Sequence, residues 1–486
     1  MKQIWSKSLA CLLCLALLVG MLPVAALAED NSPANGEVSL ADAATDTPIK
    51  ISSAEDLKKI GTEPDCPLNG SYVLAEDIDL SGSAETPWTA IGNFTGTFDG
   101  AGYKISGLYL NAGNLGPADQ GLGLFTSVGQ DGSVKNLTVE GKIDPTGLKH
   151  SSIGGIVGRN NGGTISNCTS SVDITGSVNS PVGGIVGSSD SGTIENCRNT
   201  GSINVTCSSS DIGIGGIVGK TSNGTVKTCE NTGKVTVGGK GLIGGIVGYA
   251  VGGSKVSNCR NSGSIDGNES KTGGIVGENY GAVLKCYNTG DVCSDGTAGG
   301  IAGRNVSENV GSGSTVENCY NIGDVSGSGD VGGVVGHNNN SNYYNSTVKN
   351  CYNTGAVISG NSSNVGGVVG QIATGDVSDC YYLNTSAAEG IGSVTEPDDT
   401  EVTNVESKTA EQYASGEVAW LLQSGQAEQN GQVWGQQNLG DADSLPELTS
   451  EENYSVIQVT FKVSEEDTQP YTVYTTPGST VTFPAD

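Results

Sequence analysis

Gly183-Gly184-Ile185-Val186-Gly187, then Gly192-Thr193-Ile194-Glu195-Asn196-Cys197-Arg198-Asn199-Thr200-Gly201, then Ser202-Ile203-Asn204-Val205 make up one turn of a pattern that decides the fold. Each run is short, rich in β-branched residues and closed by Gly, Asn or Ser, the composition of a strand ending in a turn. The opening motif, Gly-Gly-(Ile/Val)-(Val/Ala)-Gly, begins at Gly154, Gly183, Gly215, Gly244, Gly273, Gly299, Gly332 and Gly366. One cysteine follows each: Cys168, Cys197, Cys229, Cys259, Cys286, Cys319, Cys351 and Cys380. After most of them comes Asn-x-Gly, as in Asn353-Thr354-Gly355. No window shows ten residues of helical periodicity, so strand–helix–strand units and helical horseshoes are excluded. Three strands per roughly thirty residues, returning eight times to the same phase, read as coils of an all-β solenoid, a right-handed parallel β-helix. Strands stack about 4.8 Å apart, so eight coils span roughly 40 Å.

One coil cannot bury its apolar face alone; identical faces stacked on one another can. Ile156, Ile165 and Ile174 represent the inward ladders of coil one. Asn199, Asn231, Asn261, Asn288, Asn321 and Asn353 are expected to stack at a corner, with their amides hydrogen-bonding from coil to coil. Length variation falls in turns, at Asn305–Ser314 and Asn338–Ser346. Working outward from the repeat, residues 150–385 hold the eight coils and residues 48–149 read as an N-terminal cap with irregular first coils and a short helix near Ala54–Ile60. Residues 386–407 read as an acidic linker, and 408–450 as a short helical packing segment opened by a Thr409/Gln412 capping box. Residues 454–486 read as an incomplete β module with strands at Val459–Val463, Tyr471–Tyr474 and Val481–Phe483. The expectation is that the chain continues past Asp486.

The N-terminus has the form of a secretory signal: Lys2 and Lys7, an apolar run from Leu9 to Leu22, and Ala26-Leu27-Ala28 before a cut at residue 28. Residues 29–47 then form a disordered acidic linker. No later stretch is apolar enough to span a membrane. The chain carries a net charge of −29, which makes nucleic acid a poor partner. Residues 389–486 alone hold eighteen Asp and Glu against Lys408 and Lys462.

The pattern Gly-Gly-Ile-Val-Gly…Gly-Thr-Ile-x-Asn-Cys-x-Asn-Thr-Gly-x-Ile resembles the GLUG motif of bacterial surface proteins, found in adhesins and beside the peptidase of M26-type IgA-cleaving enzymes. The lead-in Tyr72–Leu80, Trp88–Gly92 and Phe94–Gly100 resembles that of the same proteins, as does the segment at Ser415–Gln423, Trp434 and Leu445–Leu448. The last stretch, from Val456, resembles the start of a bacterial β-grasp surface repeat. These resemblances imply a secreted, cell-surface bacterial protein for adhesion or partner binding, or a rigid stalk, with a host glycan or protein as ligand and wall attachment through sequence beyond Asp486. A second reading stays open, in which the chain is the repeat segment of a larger secreted enzyme, an IgA-type peptidase or a polysaccharide-degrading β-helix, whose catalytic part lies elsewhere.

Chemistry within the chain itself is not expected. A zinc peptidase needs two His one helical turn apart with a base; here His150 and His337 stand alone in turns. The G-x-G-x-x-G matches at Gly239/Gly241/Gly244 and Gly327/Gly329/Gly332 are the repeat's own glycines and open no helix. Gly219-Lys220-Thr221 ends like a phosphate loop, but Ile214 stands where its first glycine belongs. Arg159, Arg198, Arg260 and Arg304 are scattered over four coils, and Asp173, Glu195, Glu230, Glu269 and Asp291 share no repeat phase. No cofactor or metal is called for. The cysteine ladder reads as a buried, unbridged stack of small apolar groups, because in-register strands hold Cβ atoms about 4.8 Å apart where a disulfide wants about 3.8 Å. The residue after each ladder cysteine includes Arg198, Glu230 and Arg260, so that row is expected to face solvent. In the last four coils it becomes Tyr287, Tyr320, Tyr352 and Tyr381, a candidate aromatic binding row. The competing reading is a structural stack, or one covered by the C-terminal segment.

Overall fold

The β-branched runs form strands that hydrogen-bond to their counterparts one repeat away, all in parallel. The computed structural model describes residues 47–114, 121–148, 150–307, 313–340, 345–362, 364–426, 431–450, 452–462 and 471–481. The signal-peptide reading of residues 1–28 and nearly all of the linker that follows lie outside these residues.

Coil two shows the local logic. It holds five short strands rather than three: Val182–Gly183, Val186–Asp190, Thr193–Glu195, Arg198–Asn199 and Ile203–Cys207. The first run breaks at the Gly-Gly bend. The second breaks at Asn196, whose φ of 53° is left-handed. Equivalent left-handed residues precede every ladder cysteine, among them Asn167, Asn258, Asn318 and Asn350, but also Thr228 and Lys285. The corner therefore favours Asn at the residue before cysteine, where a short amide tolerates positive φ, without requiring it. The Asn of the Asn-x-Gly triplet serves another purpose, described below.

Three sheets run along the solenoid. Strands equivalent to Val182–Gly183 form a sheet of nine, and those equivalent to Val186–Asp190 a sheet of eleven. The remaining strands form a sheet of twenty-nine that wraps the other sides. About ten turns result, two more than the repeat count. The extra turns come from both flanks. In the lead-in, Ile91–Phe94 pairs with Phe125–Val128, which pairs in turn with the first repeat at Val157. At the other end, Ile391–Val394 pairs with Val369–Ile372, and Val402–Lys408 with Asp376–Leu383. Much of the stretch read as an acidic linker is therefore the final coil. Its charge masked it, because an edge coil needs an apolar row on only one side.

The core is a set of in-register rows. Ile165, Ile194, Val226, Val256, Val283, Val316 and Val348 are one such row, all fully buried. Ile156, Ile165 and Ile174 are buried as expected. The wider first coils are filled by Tyr72, Phe94, Phe98 and Phe125, with ring centroids 5.2–6.1 Å apart. A helix at Ala54–Lys59, capped by the Ser53 side chain accepting from the Asp56 amide, seats Leu57 on this aromatic end. Past the solenoid come helices Ala410–Ser415 and Glu417–Ser424, the first opened by the Thr409/Gln412 capping box. The chain then forms an antiparallel pair, Ile457–Phe461 with Tyr471–Thr475. Two strands do not make a β-grasp, and that resemblance is not confirmed; most of the third expected strand, 481–483, lies outside the described residues.

Candidate functional site: a covered tyrosine row and a charged groove

The corner ladders set the spacing of everything on the surface. The Nδ2 of Asn199, Asn231, Asn261, Asn288 and Asn321 each donates to the Oδ1 of the next coil's Asn at 2.7–2.9 Å. Each also donates to the carbonyl two residues ahead, at 2.7–2.9 Å. The cysteines do more than fill space. Every ladder thiol donates to the carbonyl two residues before it, at 3.1–3.3 Å. From Cys229 to Cys319 the backbone N–H also donates to the sulfur of the next coil, at 3.4–3.5 Å. The left-handed residue turns that N–H away from a carbonyl, and sulfur receives it. Burial pushes the Cys229, Cys286 and Cys351 thiols well above their ordinary range, which disfavours the reactive thiolate. The ladder cysteines are unbridged, as is buried Cys66; Cys293 is exposed.

The tyrosines stack as their register demands: Tyr287 on Tyr320 at 4.8 Å and Tyr320 on Tyr352 at 5.0 Å, with rings parallel. They do not form the solvent-facing row expected from the sequence. Tyr320 is 9% exposed, Tyr381 4% and Tyr352 fully buried; Tyr287 alone is half-buried. Trp434 lies 6.1 and 5.7 Å from Tyr320 and Tyr352 and donates its Nε1 proton to Asn318 Oδ1 at 3.0 Å. Tyr413 lies against Tyr352, whose hydroxyl donates to the Pro446 carbonyl at 2.8 Å. Val418 and Leu422 complete the cover. The aromatic row is thus the seat of the C-terminal segment. Upstream of it the same row stays open: Arg260 pairs with Glu230 at 3.0 Å and reaches the Tyr287 hydroxyl at 3.4 Å, with Arg198 3.6 Å from Glu230.

A second surface was not legible as a site in the sequence. The residue two past each Gly-Gly-Ile-Val pair forms an in-register row: Arg159, Ser188, Lys220, Tyr249, Glu278, Arg304, His337 and Gln371. The residue two before each Gly-Gly forms a facing row that includes Ser152, Lys271, Asp330 and Asn364. Side chains of the two rows meet across the bend: Ser152 with Ser188 at 2.9 Å, Lys271 with Glu278 at 2.9 Å, and Asp330 with His337 at 2.8 Å. Outward side chains on a convex corner diverge; these converge, so the bend is re-entrant and the two rows flank a narrow seam, the groove, whose floor is backbone packed on backbone. The last glycine of the motif exists for this closeness. A Cβ on Gly219 would sit 2.5 Å from the Val182 amide nitrogen.

Glu278 anchors the middle of the groove. Its side chain is 5% exposed and is held by Lys271, by Arg304 at 3.2 Å and by the Tyr280 hydroxyl at 3.0 Å. Lys220 lies over the Tyr249 ring at 5.3 Å, and Tyr249 meets Tyr280 edge-on at 5.8 Å. Asp330 accepts from Asn364 at 2.8 Å as well as pairing with His337. Burial alone would raise the Asp330 carboxyl, but those two hydrogen bonds, with the charges of His337 and Arg304, hold it below the ordinary carboxylate range. The arginines that looked scattered thus fall into two rows, Arg159 with Arg304 and Arg198 with Arg260. Among the described residues no three His, Cys, Asp or Glu are grouped to hold a metal ion.

Residues 150–175, 179–206 and 239–266 match the family model described as the GLUG motif. The chain carries GLUG repeats. The other five units keep the same strand register, so the three matched stretches belong to one uninterrupted solenoid. Halomucin of Haloquadratum walsbyi is 33% identical over 127 residues, 25% of this chain; the match spans 1% of Halomucin. A candidate immunoglobulin A1 protease of Bacteroides ovatus, solved by crystallography, overlays 83% of this chain and 93% of its own at 18% identity and a TM-score of 0.40. A second solved chain, an IgA1 protease, overlays 64% of this chain and 23% of its own at 20% identity and a TM-score of 0.31.

Proposed function

We propose that this chain is an extracellular repeat protein that works by adhesion, binding a partner along its outer surface, and performs no catalysis of its own. The observation that carries this reading is how variation is distributed within the repeat. Inward positions stay nearly constant from coil to coil: Ile or Val in the row from Ile165 to Val348, cysteine at the corner, asparagine beside it. The outward groove row changes at almost every coil, running Arg, Ser, Lys, Tyr, Glu, Arg, His and Gln. A passive spacer has no use for a different charge or ring on each turn; a surface read by a partner does. The GLUG repeats and the similarity to Halomucin support a place outside the cell. The charged groups of the groove are engaged in ion pairs and hydrogen bonds that fix side chains for recognition.

The test is attachment. Beads coated with the full chain should adhere saturably to a mucin layer, and soluble chain should compete. Incubation with IgA or with that mucin should leave both uncleaved. Adhesion no greater than that of albumin-coated beads would reduce the protein to a stalk, and cleavage of either substrate would overturn the non-catalytic reading.

A further inference from the structure

We propose that the re-entrant groove between Arg159 and Arg304 binds a linear glycan that carries carboxylate or sulfate groups at intervals. This deepens the adhesive reading and rests on it. The first observation is shape. The two facing rows advance one strand rise per coil, and Arg159 to Arg304 is five rises, roughly 24 Å. A straight, periodic double row of side chains of that length suits an extended polymer rather than a compact ligand.

The second observation is charge. In a chain with 52 Asp and Glu against 23 Lys and Arg, this stretch carries Arg159, Lys220, Lys271 and Arg304 along its length, against Glu278, held by Lys271 and Arg304, and Asp190, at the rim on Arg159. The acid-rich C-terminal residues do not cancel this. They fold back onto the Tyr320–Tyr352 row, which belongs to the large sheet and not to the two sheets that meet at this bend. The third observation is the ring pair. Tyr249 and Tyr280 are half-buried beside Lys220 and Glu278, which gives sugar faces a flat apolar support next to charge-assisted donors. A neutral polysaccharide leaves the cations unused; single-stranded DNA could engage all three features, so it is the comparison that discriminates.

Isothermal titration of the full chain with a chondroitin sulfate octasaccharide tests this, with a neutral N-acetylglucosamine octamer and single-stranded DNA of similar length as comparisons. Chondroitin sulfate should bind, more weakly as salt rises, and both comparisons should bind at least about tenfold less tightly. Lys220→Gln combined with Tyr249→Ser should lower affinity about tenfold or more. Both residues are half-buried in the outward row, away from the core ladders. Arg304→Gln should weaken binding as well, while Lys227→Gln, which lies on the large sheet, should leave it unchanged. Equal binding of the neutral octamer, or of DNA, would overturn the proposal, as would an unaffected Lys220/Tyr249 variant. If chondroitin sulfate fails to bind while coated beads still adhere to mucin, the groove assignment falls and the adhesive reading stands.

Discussion

At the residue scale, the ladders predict unequal costs for similar-looking changes. Cys286→Ala removes the sulfur that receives the Cys259 N–H and leaves that donor buried. It should cost about 1–3 kcal/mol, the price of an unsatisfied buried group. Cys286→Ser should recover part of this by keeping an acceptor there, which urea melts of the three proteins would show. An apolar stack would rank them the other way, with Ser worse than Ala. Thr272 tests the opposite case. It is fully buried between Ile243 and Ala298, and its Oγ1 has no hydrogen-bond partner among the described residues. Thr272→Val should raise stability by about 1 kcal/mol. The cysteine and asparagine rows were legible as ladders from their spacing. The sulfur's acceptor role was not, because it depends on the left-handed residue before it, and periodicity carries no sign of φ.

At the scale of the element, the C-terminal helices and Trp434 behave as one clasp on the tyrosine row. Burial raises the hydroxyl pKa of Tyr320, Tyr352, Tyr381 and Tyr413. The folded form therefore favours the protonated phenols. Their stabilising effect is complete below the unfolded tyrosine pKa of about 10 and is lost as pH climbs from there toward the folded values. Tyrosinate absorbance should show these four titrating above pH 10, together, as the clasp lets go. Titration of these four near pH 10 would contradict the seating. The spacing of the tyrosines was plain in the sequence and their cover was not: Trp434 meets Asn318 across 116 residues, and Pro446 meets Tyr352 across 94. Arg198, Glu230 and Arg260 rightly marked that row as outward from the core, but outward proved open only where no later segment lies on it. The groove failed to register for a related reason. One row changes residue type at almost every coil, the facing row runs Ser152, Pro181, Gly213, Leu242 before its charges begin at Lys271, and only the bend at Gly-Gly brings residues seven apart, such as Lys271 and Glu278, face to face.

For the whole solenoid, the final coil raises the question of its open edge. Val394 and Val402 are exposed there, among Glu396, Asp398, Asp399 and Glu401. Charge at an edge strand discourages pairing with another chain. Replacing these four acids by their amides should therefore produce concentration-dependent association in analytical ultracentrifugation, with the parent chain unchanged. Coil count and register were readable from the repeat between residues 150 and 385, while the flanking coils, built from less regular sequence, extend the same stacking to about ten turns. That continuous in-register stacking underlies the groove, the tyrosine seat and the adhesive reading alike. Spin labels on the exposed native Cys293 and on a cysteine introduced by Thr175→Cys address it directly. Residues 175, 204, 236, 266 and 293 stand in register on five successive coils. Four rises separate the pair, so electron–electron double resonance should give one narrow distribution centred at about 19 Å plus the reach of the labels. A broad distribution, or a centre beyond about twice that distance, would show that the coils do not stack as described.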